Sequence, residues 1–175
     1  MKTDSNQPTL ATFYSGWATY QRMLIKMIRP LSPDQLAIPV SSPRWTVGRT
    51  LQHIAANRVW WFQLWMGEGS SELSPLTRWD PSEANEPPII DTDGLVAGLA
   101  DSWDMVANAL AKWLPSDLAH EFAPPKVLSE EEQNAFGTTS RQWIIWHVFE
   151  HEIHHGGEIS LAFGKYGLPG IYGNF

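Results

Sequence analysis

The stretch Arg141-Gln142-Trp143-Ile144-Ile145-Trp146-His147-Val148-Phe149-Glu150-His151-Glu152-Ile153-His154-His155-Gly156-Gly157-Glu158-Ile159 decides the fold. It holds no proline, and its apolar residues do not alternate as a strand's would. On a helical wheel of 100° per residue, His147, His151 and His155 fall within roughly 80° of arc. Ile144, Val148, Glu158 and Ala162 share that arc. The spacing predicts a long helix over 138–166, whose core-facing stripe is interrupted by three imidazoles and a carboxylate. Polar groups buried without partners are costly, so something must compensate for them.

Working outward, three more helical patterns emerge. In 9–31, Leu10, Phe13, Trp17, Tyr20, Leu24, Met27, Ile28 and Leu31 recur at steps of three or four. Ser32 and Pro33 can then cap and open a short helical turn. In 46–66, Thr46 is a natural N-cap and Gly67 a stop. Leu51, Ile54, Val59, Trp60, Trp61 and Leu64 lie on its inward face, together with His53 and Asn57. In 92–114, Leu95, Leu99, Trp103, Val106, Leu110 and Trp113 form the stripe, and Pro115 ends it. Residues 67–90 and 115–137 are long connections rich in proline or charge. Residues 1–8 read as a flexible tail. No alternating strand pattern is visible. The chain therefore reads as all-α: one four-helix-bundle domain over 1–175, with long connecting loops.

Composition narrows the chemistry. The 175-residue chain carries 12 Lys+Arg against 19 Asp+Glu, a formal charge of −7. That balance argues against nucleic acid as a partner, because phosphate binding needs a basic footprint. No apolar run reaches the ~18–20 residues that span a bilayer. The N-terminal stretch has no apolar signal core, so a cytoplasmic setting is expected. With no cysteine in the chain, any metal must be held by histidine and carboxylate.

Two histidines four apart on one helix can turn ring nitrogens to one ion. A third ligand must come from elsewhere. His53, on the apolar face of the second helix, is the natural candidate, and His120, in a loop, is a weaker one. His151-Glu152-Ile153-His154-His155 also spells the zinc-protease pattern HExxH. The longer form of that motif needs Gly at 158 and His at 161, where this chain has Glu158 and Leu161. Glu152 also falls about 100° from His151, off the histidine stripe. The protease reading is set aside.

The segment Trp146–Ile159 resembles the last-helix signature of the DinB-like family, in which the usual form is His-x3-His-x-x-His-His-Arg-Gly-Gln/Glu. Ser42-Pro43-Arg44-Trp45-Thr46-Val47-Gly48-Arg49-Thr50-Leu51-Gln52-His53-Ile54 is similar to the family's entry into its second helix. Tyr166-Gly167-Leu168-Pro169-Gly170-Ile171-Tyr172 is similar to its tail. The resemblance implies an up-down-down-up bundle binding one divalent metal, zinc or nickel foremost, with iron or manganese as others. By position it assigns the ligands to His53, His151 and His155. His147 and Glu158, with Asn57 and Trp61, become supporting or pocket groups. Relatives similar to mycothiol-dependent maleylpyruvate isomerases carry Glu at the position of His151. One departure is Gly156, where the family usually has Arg.

Characterised relatives are similar to S-transferases that use low-molecular-weight thiols. The leading expectation is thus a metal-dependent transferase taking a small-molecule substrate and an external thiol. The alternatives are a metal-dependent hydrolase and a non-catalytic metal-binding stress-response protein. Trp60, Trp61, Trp65 and the segment around Trp79 are candidates to wall an apolar cavity. The fourth helix is apolar nearly all round, with Trp146, Phe149, Ile153, Gly156, Gly157, Ser160, Phe163 and Gly164 opposite the histidines. That pattern predicts a homodimer.

Overall fold

The computed structural model describes residues 7–42, 44–81 and 88–173. Residues 1–6 of the expected tail lie outside them, as does Pro43 of the second-helix signature. Helix α1 (Leu10–Phe13) and helix α2 (Ser15–Ile28) meet at Tyr14, which divides the helix expected over 9–31. Helix α3 (Pro33–Leu36) opens on a reciprocal box: Ser32 Oγ accepts from the Gln35 amide, and Gln35 Oε1 accepts from the Ser32 amide. Strand β1 (Pro39–Ser42) pairs antiparallel with strand β2 (Trp45–Thr46). The sequence pattern gave no sign of this ribbon, since two strands this short have too few residues to alternate.

Helix α4 (Val47–Arg58) begins at the Thr46 cap and continues as a π-helix over Val59–Trp65. Gly67 stops it at φ +73°, in the left-handed region that favours glycine. The crossover that follows holds a 3-10 helix over Ser71–Trp79. Helix α5 (Thr92–Lys112) is capped by Asp91 Oδ1, which accepts from the Gly94 amide. A 3-10 turn (Pro115–Ala119), strand β3 (Glu121–Phe122), helix α6 (Glu130–Phe136) and strand β4 (Thr139–Ser140) lead into helix α7 (Arg141–Lys165). Strands β3 and β4 pair antiparallel.

The fold is all-α, with these two ribbons as its extended elements among the described residues. Helix α4 packs on both α5 and α7, and α2 packs on α5. The core has two apolar clusters. One gathers Trp17, Val59, Phe62, Met105, Val106, Ile144 and Val148; the other gathers Leu24, Leu51, Ile54, Leu95, Leu99, Ile159 and Phe163.

On α4, α5 and α7 a buried polar residue separates the two clusters in sequence, Arg58, Ser102 and Glu152, and on α2 the buried Gln21 lies just past the boundary, after Tyr20. Arg58 is 0% exposed and Glu152 1%. Arg58 Nε donates to Glu152 Oε1 at 2.5 Å, and its Nη1 donates to Leu99 O and to Ser102 Oγ. Trp17 Nε1 and Gln21 Nε2 both donate to Glu152 Oε2. The Tyr20 hydroxyl donates to the Glu152 carbonyl at 2.9 Å. This layer ties α2, α4, α5 and α7 together and fixes the register of α7 against α4. No helix of the described residues is long and apolar enough to cross a membrane.

Candidate metal centre

That register carries the histidines. His53 stands five residues before Arg58 on α4, and His151 immediately precedes Glu152 on α7. Locking Arg58 to Glu152 brings His53 opposite the histidine stripe. His53 Nε2 lies 2.9 Å from His151 Nε2, and His155 Nε2 lies 3.2 Å from the same atom. One nitrogen from each of the three lies within 4.8 Å of the others. The structure thus brings together the three residues that the sequence singled out.

The far ring nitrogens settle the protonation. His155 Nδ1 donates to Glu158 Oε2 at 2.7 Å. His53 Nδ1 lies 2.9 Å from Asp80 Oδ2, close but bent from hydrogen-bond alignment. A carboxylate beside Nδ1 holds the proton there and leaves Nε2 with its lone pair. Two lone pairs therefore point at His151 Nε2, which has one position and cannot donate to both. His151 Nδ1 is buried without a partner. Burial first, then the nearby imidazoles of His155 and His53, push the His151 pKa down to about 2. Burial likewise lowers His155, against the bonded Glu158 carboxylate, which pulls it upward. Three half-buried imidazoles with converging nitrogens suit a cation better than they suit one another. In a tetrahedral zinc site, bonds of roughly 2.0–2.1 Å put ligand nitrogens roughly 3.3–3.4 Å apart. The observed separations are close to that, so the residues present fit a divalent ion.

The remaining expected residues lie around this cluster or apart from it. Glu158 acts on His155, as a supporting group would. His147 bonds none of the three; its ring stacks on Trp143 at 4.9 Å and meets the edge of Trp61 at 5.1 Å. Burial holds the His147 pKa below its ordinary value. His147, Asn57, Trp60 and Trp61 line a cavity of about 320 Å³ that shares His53 with the cluster. Trp65 and Trp79 do not line it: Trp65 packs with Trp61 and Phe136, and Trp79 packs among the apolar residues beside Gly98. His120 sits away from the cluster, against Phe122 at 4.6 Å. Glu152 is off the histidine stripe, yet buried and bound to Arg58. A general base of the protease kind would face the histidine cluster instead.

Two residues escaped the sequence reading. Asp80 arrives from the end of the crossover 3-10 helix, 27 positions from the histidine it contacts. A lone acid in a proline-rich connection gives no periodic signal. Trp45, on β2, meets His53 edge-on at 5.1 Å and stacks over His155 at 6.4 Å. It lay within the quoted second-helix signature but carried no role there.

Gly156 also finds its reason. A Cβ at that position would overlap the Tyr20 hydroxyl. A side chain there would point at α2 and the buried layer.

A family model described as DinB family matches residues 1–171. The uncharacterized protein YrdA of Bacillus subtilis (strain 168) is 24% identical over 167 residues, which cover 94% of this chain and 89% of that protein. The crystal structure of a DinB-like protein from Bacillus cereus ATCC 10987 superposes with a TM-score of 0.63 at 19% identity. The match covers 91% of this chain and 94% of that one. At that identity the likeness speaks for the fold.

Proposed function

The chain belongs to the DinB family, and from that premise we propose that His53, His151 and His155 hold one divalent metal, zinc or nickel foremost, in a thiol-dependent S-transferase. The observation that carries this is the convergence of three Nε2 atoms with Asp80 and Glu158 behind two of them. The order and packing of the long helices support the up-down-down-up bundle the resemblance implies.

Held by His53, His151 and His155, a divalent ion would supply Lewis acidity toward a protic group such as a thiol. The chain's own residues do the rest. Glu158 holds a proton at Nδ1 of His155, which keeps its Nε2 basic, and the Asp80 carboxylate lies 2.9 Å from Nδ1 of His53. His147 lines the same cavity as His53; its Nδ1 is 3.5 Å from Glu150 Oε1, leaving Nε2 to accept a proton from the thiol. Trp60, Trp61 and Phe136 exclude water around the electrophile. The thiol sulfur then forms the new C–S bond as the electrophile's C–O or C–halogen bond breaks. The thiol comes from outside, since the chain has no cysteine.

The test has two stages. Elemental analysis and chelator competition on the purified protein should give one divalent ion per chain, lost in the His155→Ala variant. The loaded protein should then conjugate a low-molecular-weight thiol to an epoxide or a halogenated aromatic. Ester cleavage without any thiol would assign a hydrolase, and metal binding with neither activity a binding protein.

We also propose a homodimer, on a narrower face than the sequence suggested. Gly156 and Phe163 are buried within the chain itself, and Ser160 Oγ accepts from the Ile171 amide. Trp146, Ile153 and Leu161 remain exposed along α7. Sedimentation showing monomer at micromolar concentration would end this proposal.

A further inference from the structure

The cavity beside the histidine cluster has a character of its own. At about 320 Å³ it lies at the small end of ligand sites, room for a single ring and a short substituent. Its walls are flat and crossed: Trp61 meets the Phe136 ring at 83° and the His147 ring at 72°. Edge-to-face walls of this kind suit an aromatic guest.

Charge restricts the guest further. Among the described residues that line the cavity there is no Lys or Arg. The charged side chain on its wall is Asp80, which faces His53. Without metal, the described lining gives an anion no lysine or arginine to pair with. Burying an anion without a compensating cation is costly. Asn57 lines the same cavity, and its Oδ1 is buried without a partner. Its amide can turn to present either end, which suits a neutral hydrogen-bonding group on the guest.

We propose that this cavity is the subsite for a compact, uncharged aromatic molecule bearing one neutral hydrogen-bonding group, and that its own walls reject carboxylates and phosphates. Its service as a substrate subsite rests on the reading above. The substrate class is thereby narrowed from small electrophiles in general to uncharged aromatic ones.

Calorimetric titration of the full chain, zinc-loaded and metal-free, with benzamide, benzoate and benzylammonium tests this. Benzamide should bind at least tenfold more tightly than benzoate in the metal-free form. In Asn57→Leu the benzamide affinity should fall about tenfold while zinc affinity holds. The near-isosteric Asn57→Asp serves if that variant does not fold, and its preference should move to benzylammonium by tenfold or more. Benzoate binding as tightly as benzamide in the metal-free protein would overturn the proposal, and so would an unchanged preference in Asn57→Asp. Chelator competition on the same samples separates the two readings. If zinc does not bind but metal-free protein still prefers benzamide, the metal reading fails and the subsite stands. If zinc binds but metal-free protein prefers benzoate, the subsite fails alone.

Discussion

His151 and Glu152 are neighbours in sequence, yet they belong to polar clusters of opposite kinds. Glu152 sits in a layer closed from all sides: Arg58, Trp17 and Gln21 donate to its carboxylate, and Tyr20 donates to its carbonyl. Arg58 Nη2 and Gln21 Oε1 are the atoms of that layer left over. His151 sits in a cluster whose members cannot satisfy one another, because three imidazoles bring more acceptors than donors to one point. Both clusters interrupt an apolar face, one buried and one half-buried. Burial of polar groups therefore does not mark a functional site by itself; acceptors converging on one point do.

The contrast breaks most severely at the closed layer. Arg58→Met should cost about 3–5 kcal/mol, because it leaves Glu152 buried and unpaired. Joint replacement of Arg58 by Met and Glu152 by Leu should cost much less, and urea unfolding of the two variants measures the difference. At the open cluster the order reverses. His155→Ala should lower metal affinity on the order of 100-fold or more while barely changing the metal-free melting temperature, since a ligand stabilises the state that binds it. A metal-independent loss of stability equal to that of Arg58→Met would erase the distinction. Asp80→Ala and Glu158→Gln should each weaken the metal about 10–100-fold, read by the same competition titration.

Acid probes the open cluster without mutation. The folded state keeps His151 neutral to about pH 2, and His147 and His155 below their ordinary value. Below about pH 6.5 the unfolded chain binds protons that the fold refuses. The metal-free protein should thus be most stable above that pH and lose up to about 1.4 kcal/mol per unit for His151 as pH falls. Melting temperatures across pH 7 to 5 check the sign; stabilisation by acid contradicts it. The smallest effect belongs to His147→Ala, which should change metal affinity only a few-fold, because its ring bonds none of the three ligands.

The sequence made the helices and the histidines legible for one physical reason: both are periodic. The steps of three and four in α2, α5 and α7, and the four-residue spacing of His151 and His155, survive without tertiary context. His53 was legible because it broke an apolar face. Asp80 was not, because its position depends on how a crossover folds back over α4. The role of Glu152 was hidden for a related reason. A wheel shows that it leaves the histidine stripe, but not that Arg58 waits on the other side. The ribbons β1–β2 and β3–β4 were missed because their pairing is decided by chain reversal, below the length at which alternation shows.

Gly156 and Tyr20 have a consequence for descent. The hydroxyl of Tyr20 fills the space a side chain at 156 would need, and it is held there by its bond to the Glu152 carbonyl. A chain carrying arginine at 156 could not hold this tyrosine in its present pose. Nor can this chain take an arginine at 156 by a single replacement. The two positions should therefore change together across lineages, with glycine at one accompanying tyrosine at the other. Any larger residue at 156 would have to follow a change at Tyr20.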